Sequence, residues 1–178
     1  MKIHTVILAA GEGSRMLSSK AKSLQPVGGH SMLKRIYETV QDITDETTFV
    51  VGYEKESIIK EANSFNGKIN ISEQKAAIGT ADAVKSSLDT ISAESKVLVL
   101  YGDVPLIKKN TLENLITSTT DSLTILTTLM DNPTGYGRVK KDTDGLAEAI
   151  VEEKDASNED KLINEIFTGI LCCNKRLL

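Results

Sequence analysis

The chain has 178 residues, 40% of them hydrophobic, which is one domain by size with room for a real core. Its formal net charge of −4 and the lack of a long basic run argue against general nucleic-acid binding. Apolar runs are short, so no membrane span is expected, and the run after Met1-Lys2 is too short for a secretory signal. A cytoplasmic protein is the expectation. The two cysteines, Cys172 and Cys173, are adjacent, which strains a disulfide, and no metal-ligand spacing surrounds them. They read as small buried residues on a strand.

The first element is the apolar run Thr5-Val6-Ile7-Leu8, rich in β-branched residues, which reads as a strand buried on both faces. It breaks into Ala9-Ala10-Gly11-Glu12-Gly13-Ser14-Arg15. Two glycines in three positions allow a sharp turn and close approach to a ligand. Arg15 adds a planar fork of donors suited to phosphate oxygens. Strand, glycine turn and cation together suit a nucleotide phosphate chain at the carboxyl end of a first strand. Two familiar motifs fail here. Met16 stands where the dinucleotide fingerprint needs Gly or Ala, and no Gly-Lys-Ser/Thr closes the turn as in a P-loop.

Residues 17–29 read as an irregular stretch carrying Lys20 and Lys22. Ser31 is the expected N-cap of a helix with the stripe Leu33, Ile36, Tyr37 and Val40. Residues 47–51 are the second strand, followed by a helix with Ile58, Ile59 and Ala62 on one side; Ile69-Asn70-Ile71 is the third strand. Residues 74–80 form a loop ending in Gly79-Thr80, with Thr80 as cap of a helix whose stripe is Ala81, Val84, Leu88 and Ile91. The fourth strand, Val97-Leu98-Val99-Leu100, is apolar throughout and so expected to be central. It runs into Tyr101-Gly102-Asp103. Asn110 with Glu113 is expected to open another helix as a capping box, with Leu112, Leu115 and Ile116 inward. Residues 123–129 are the fifth strand.

This alternation of strands and helices predicts an α/β fold with a parallel sheet covered on both faces. The character then changes. Residues 137–140 and 146–151 read as a β-hairpin turning at Asp144-Gly145. Residues 152–161 read as a charged, solvated loop, and residues 167–172 as a last strand. His4 and His30 show no candidate partner and no metal spacing.

Several side chains are candidates for holding a nucleotide. A fork-like cation (Arg15) and a point-like one (Lys22) suit phosphate oxygens, or else are surface charges of a loop. Asp103, at the carboxyl end of the most apolar strand, is placed for a Mg²⁺ bridging phosphates, or else caps the following turn. Gln74 carries an amide that can meet a pyrimidine edge with both a donor and an acceptor, though by itself the stretch to Thr80 reads better as a polar loop and a helix cap.

The segment L-A-A-G-E-G-S-R-M (residues 8–16) followed by Lys22-Ser23-Leu24 resembles the signature of the sugar-nucleotide pyrophosphorylases. Tyr101-Gly102-Asp103-Val104-Pro105-Leu106, Pro133-Thr134-Gly135-Tyr136-Gly137-Arg138 and Ile150-Val151-Glu152 narrow the likeness. They resemble the N-terminal uridylyltransferase domain of the bacterial bifunctional enzymes acting on N-acetylglucosamine 1-phosphate, over residues 3–172. The resemblance implies a Rossmann-like, doubly wound, mostly parallel sheet. It implies formation of UDP-N-acetylglucosamine and pyrophosphate from UTP and N-acetylglucosamine 1-phosphate with Mg²⁺, for cell-envelope precursors. Arg15 and Lys22 would be catalytic and Asp103 the metal ligand. Leu8, Ala10, Gly11, Gly13, Gln74, Gly79 and Thr80 would hold the nucleotide, and Tyr101, Gly137 and Glu152 the sugar. A thymidylyl- or cytidylyltransferase of the same fold, or a nucleotide-binding fragment with little turnover, are the alternatives.

Departures from the family pattern bear on specificity. Ala21 replaces a proline, His30 a basic residue, and Phe167 an asparagine that contacts the sugar. A phenyl ring cannot make amide hydrogen bonds, so the identity of the sugar is left open. Family members continue past the position of Leu178 with a segment supplying a second Mg²⁺ ligand and closing the sugar side. The expectation is therefore one nucleotidyltransferase domain over residues 1–178, incomplete at its sugar end, without the acetyltransferase β-helix. Mg-UTP is expected to bind more weakly than in a complete domain, with turnover far below that of a full-length relative or absent, and self-association through apolar surface is expected.

Overall fold

A computed structural model of the chain describes residues 1–13, 16, 18, 20–76 and 78–178. Two compact units are distinguished: Met1–Thr124 with Leu171–Leu178, and Ile125–Ile170.

The first unit is built on β1 (Lys2–Leu8), whose last five residues are buried. A small antiparallel ribbon, β2 (Pro26–Val27) and β3 (His30–Ser31), precedes helix α1 (Met32–Val40). Then follow β4 (Glu46–Val51), α2 (Lys55–Ala62), β5 (Ile69–Glu73), α3 (Thr80–Ser86), β6 (Ser95–Tyr101) and α4 (Lys109–Ser118). The parallel strands lie in the order β5-β4-β1-β6. The chain steps outward from β1 to β5 and then returns across β1 to β6. That reversal is a topological switch point, where open α/β sheets bind ligands at their carboxyl ends. The register aligns those ends, with Leu8 beside Val50 and Tyr101, and Val51 beside Glu73.

Both sheet faces are covered, as the uninterrupted apolar strands require. On one face Val6, Leu8, Val50, Val97 and Val99 pack with Ala83 and Val84 of α3 and with Ile91. On the other, Tyr37 of α1 tilts onto Phe49 of β4 at 5.9 Å and stacks on Phe65 at 4.7 Å. Each fully buried Leu, Ile or Val contributes about 1.5–3 kcal/mol. The α1 stripe Leu33, Ile36, Tyr37 and Val40 is buried as its periodicity predicts, and the Ser31 hydroxyl accepts from the Lys34 amide at 3.0 Å. Strand β6 is central, between β1 and residues 171–174 of a last strand, β10 (Glu165–Asn174), which runs antiparallel to it. Cys172 and Cys173 are free and buried there, and burial pushes the Cys173 thiol up to about 11.

Several expectations need correction. Thr80 does not cap α3: Gly79 is the N-cap and the helix already runs from Thr80. Ala81 is exposed while Ala83 is buried beside Val84, and the helix ends at Ser86, with a short turn over Leu88–Thr90 carrying the chain to the buried Ile91. Asn110 lies inside the first turn of α4, whose N-cap is Lys108 with no side-chain cap bond. His4 is buried and has a partner, Thr48 Oγ1, at 2.7 Å from Nε2; burial holds its imidazole below the ordinary value.

The second unit contains most of β7 (Thr124–Leu129), then β8 (Arg138–Lys141), β9 (Ala147–Val151) and the first half of β10. β8 and β9 form the predicted hairpin, closed by Asp142 N–H to Leu146 O at 2.9 Å with Gly145 at φ 79°. β7 was expected to extend the parallel row, but it pairs with β10 instead. Its Leu126 carbonyl accepts from the Thr168 hydroxyl at 2.7 Å, and its Thr127 hydroxyl donates to Glu165 at 2.7 Å.

Residues 152–161 are not simply a solvated loop. Two short turns there hold carboxylates against the hairpin's cations, Glu153 on Arg138 at 2.7 Å and Asp160 on Lys140 at 3.1 Å. The Gly135 amide and then Arg138 hold Glu153 below its ordinary value. Ser157 and then Lys140 do the same for Asp160, as Lys141 and then Thr127 do for Glu165. A carboxylate lowered in the fold contributes stability above its unfolded value, and that contribution is lost as pH falls through the folded value. The second unit is therefore expected to loosen as pH drops below the ordinary carboxylate values of 4.5 and 3.8. Hydrogen exchange of the β8–β9 amides at pH 7 and pH 3, corrected for intrinsic rates, checks this. Equal protection factors would contradict it.

Candidate functional site at the carboxyl edge of the parallel strands

A cavity of about 690 Å³ opens where β1, β4, β5 and β6 of the first unit end. Its walls are the residues that follow each strand: Ala9 to Gly13, Gly52-Tyr53, Gln74-Lys75 and Gly102-Asp103, with Gly79 and Thr80. The loops are tied back to the sheet. Ala9 N–H donates to Val50 O at 2.8 Å, and Gly102 N–H donates to Leu8 O at 2.8 Å.

Two glycines are required by this packing. A Cβ on Gly102 would lie 3.0 Å from Leu8 O and 3.2 Å from Ser23 Cβ. Gly13 sits at φ 66°, and a Cβ there would come 2.6 Å from Lys22 Cβ. Any side chain at position 13 would push against the stem of Lys22, so the glycine turn and the lysine form one structural unit.

Lys22 Nζ donates to Asp103 Oδ2 in an ion pair that joins residues 81 apart in sequence. The side chains are 34% and 31% exposed, so a charged ligand can reach both. A pair this wet contributes about 0–1 kcal/mol to stability. Glu73, another carboxylate of the wall, is held by Lys55 at 2.8 Å. Among the described residues no group of three His, Cys, Asp or Glu could hold a metal by itself. Asp103 nonetheless fits Mg²⁺, which takes one or two carboxylates and completes its shell with water and substrate phosphates.

Gln74 and Thr80 of the same wall are held by hydrogen bonds. Gln74 Nε2 donates to Gly79 O at 3.0 Å and to Asp82 Oδ2 at 3.0 Å. An amide nitrogen carries two hydrogens, so both are committed to the protein. The expectation that this amide offers a donor as well as an acceptor is thus corrected: its carbonyl oxygen is what remains. The Thr80 hydroxyl lies 3.2 Å from the Tyr101 hydroxyl, which ties the start of α3 to the end of β6.

Of the residues predicted from sequence, the cavity brings together Leu8, Ala10, Gly11, Gly13, Lys22, Gln74, Gly79, Thr80, Tyr101 and Asp103. Arg15 lies outside the described residues. Gly137 and Glu152 are in the second unit, close together. A Cβ on Gly137 would be 3.4 Å from Glu152 Oε1, and Gly137 O accepts from Phe167 N–H at 2.9 Å. Tyr53 and Asp82 were missed. Tyr53 follows a predicted strand end, so the carboxyl-edge rule could have found it. Asp82 had no such signal.

A family model of the MobA-like NTP transferase domain matches residues 5–151. The chain belongs to this family. Bifunctional protein GlmU of Francisella philomiragia subsp. philomiragia is 45% identical over 176 residues, covering 98% of this chain and 38% of that protein. Bifunctional protein GlmU of Ruthia magnifica subsp. Calyptogena magnifica is 45% identical over 177 residues, covering 99% and 38%. The chain thus spans 38% of the length of these curated relatives. The crystal structure of HddC from Yersinia pseudotuberculosis shares the fold with a TM-score of 0.73 at 23% identity, covering 99% of this chain and 78% of HddC. The cavity of this NTP transferase domain is lined by both the Lys22–Asp103 pair and the Gln74 amide. No helix of the described residues is long and apolar enough to cross a membrane.

Proposed function

We propose that the chain is a uridylyltransferase domain that forms UDP-N-acetylglucosamine and pyrophosphate from UTP and N-acetylglucosamine 1-phosphate. The observation that carries this reading is that one cavity is lined by Lys22 and Asp103 together with Gln74 and Gly79. The first pair suits a triphosphate and the second a base. The likeness to the GlmU proteins supports the choice of nucleotide and sugar.

In this reading a phosphate oxygen of the sugar phosphate attacks the α-phosphorus of UTP in line. The bond from the α-phosphorus to the bridging oxygen breaks, and pyrophosphate leaves. Lys22 stabilises the charge that gathers on the leaving group, as Arg15 would. Asp103 would hold Mg²⁺, which when bound neutralises phosphate charge. The wall of Gly11 and Gly13 admits the phosphates close to the backbone. Tyr101, Gly137 and Glu152 would meet the sugar. In this reading the activity is cytoplasmic and supplies cell-envelope precursor synthesis.

Pyrophosphate release measured with four NTPs against several sugar 1-phosphates tests the proposal. UTP with N-acetylglucosamine 1-phosphate is expected to give the highest rate. UTP should also bind more tightly than ATP by calorimetry, and Gln74→Ala should flatten that preference by about 1–3 kcal/mol. Preferred turnover of ATP, or equal binding of UTP and ATP, would overturn the reading.

A further inference from the structure

We propose that Asp82 is a positioning residue that fixes the Gln74 amide with its carbonyl oxygen turned to the ligand, so that the site selects a pyrimidine carrying a ring N–H over cytosine. The inference rests on the nucleotide reading of this cavity. It begins with the two bonds from Gln74 Nε2, to Gly79 O and to Asp82 Oδ2, both at 3.0 Å. Both partners are acceptors that cannot donate: one is a backbone carbonyl, the other an ionised carboxylate. The amide nitrogen therefore has to face them. Turning the amide over would break both bonds and set Oε1 against two oxygens.

Asp82 and Gly79 are themselves held by α3. Asp82 lies in its first turn, and Gly79 O also accepts from Ala83 N–H at 3.2 Å. The Gln74 backbone is anchored separately, its N–H on Val51 O at 2.9 Å. Gln74 lines the cavity, while Asp82 does not and stands behind it. Among the described residues, nothing donates to Gln74 Oε1. The group offered to a ligand is thus a lone acceptor of fixed direction.

Uracil has a single ring donor, N3–H, between two carbonyl oxygens. A lone acceptor has that one atom to meet. Thymine presents the same edge. In the same seat cytosine offers an N3 lone pair, and its amino group stands one ring position away. An acceptor facing that lone pair loses a hydrogen bond and gains a repulsion, which should weaken binding by about tenfold or more.

The test is a calorimetric comparison of UTP, dTTP, CTP and N3-methyl-UTP, in Mg²⁺, on the parent chain and on Asp82→Leu and Asp82→Asn. The parent is expected to bind UTP and dTTP at least about tenfold more tightly than CTP and N3-methyl-UTP. Asp82→Leu frees the amide to turn and should narrow the UTP-to-CTP gap to within about threefold. Asp82→Asn keeps an oxygen acceptor for the Gln74 nitrogen and should retain most of the gap. A merely structural role would weaken all four nucleotides together and leave their ratios unchanged. An unchanged UTP-to-CTP ratio in Asp82→Leu would overturn the role of Asp82. Equal binding of CTP and UTP by the parent would overturn the fixed acceptor while leaving a nucleotide site in place. Binding of none of the four would overturn the nucleotide reading and this inference with it.

Discussion

Lys22→Ala is expected to lower pyrophosphate release by two to three powers of ten while leaving the fold intact. The rate effect follows from what Lys22 can supply. In nucleotidyl transfer the charge grows on the leaving pyrophosphate, and a preorganised cation there commonly carries about 10²–10³ in rate. The fold should survive because the lysine's charged partner among the described residues, Asp103, is 31% exposed and can be rehydrated. Losing such a pair costs about 0–1 kcal/mol. The same substitution should raise the affinity of the free protein for Mg²⁺ alone, since Asp103 is no longer neutralised by a neighbouring ammonium. Turnover, thermal melting and a Mg²⁺ titration measured together separate these effects. Activity within threefold of the parent would make Lys22 a surface charge, and a large drop in melting temperature would make it a structural one.

Asp103→Asn is expected to abolish the gain in UTP affinity that Mg²⁺ confers. An amide is nearly isosteric with the carboxylate, and the position lies just beyond β6 rather than within the packed sheet, so folding should be preserved. What is lost is the charge. A neutral oxygen is a poor ligand for a hard divalent cation, and the effect on metal-dependent binding should be at least about tenfold. Calorimetry of UTP in Mg²⁺ and in EDTA shows it directly. The parent should differ strongly between the two conditions and the variant little. A variant that gained as much from Mg²⁺ as the parent would confine Asp103 to its pairing with Lys22. The two substitutions also report on each other. Because Lys22 and Asp103 are in contact, their effects should not add in the double variant.

What the sequence determined by itself were the elements whose physics is local. The run Thr5 to Leu8 reads as a doubly buried strand because nothing polar enough to face water interrupts it. The stripe Leu33, Ile36, Tyr37 and Val40 reads as a helix because its spacing puts one face inward, and Ser31 supplies the cap. The turn at Asp144-Gly145 and the glycine turn at Gly11 to Gly13 are legible because few residues other than glycine adopt such backbones. Given parallel strands, the rule that ligands sit at their carboxyl ends placed Asp103 at that edge before any coordinates, while Gln74 stood out by its amide and by the family resemblance. What only the tertiary structure decided were pairings between distant residues. β7 has a strand's composition wherever it goes, and hydrogen bonding to β10 rather than to the parallel row is settled by the packing of the second unit. The contact of Lys22 with Asp103 spans 81 residues. The cap of α3 passed from Thr80 to Gly79 because the backbone at Gly79 takes φ 126°, a value no propensity at Thr80 reveals. The bond from the Gln74 amide to Asp82, in the first turn of α3, joins residues that no local pattern links. An amide read in sequence is a donor and an acceptor at once; which of the two a ligand meets is decided by the groups that fold in behind it.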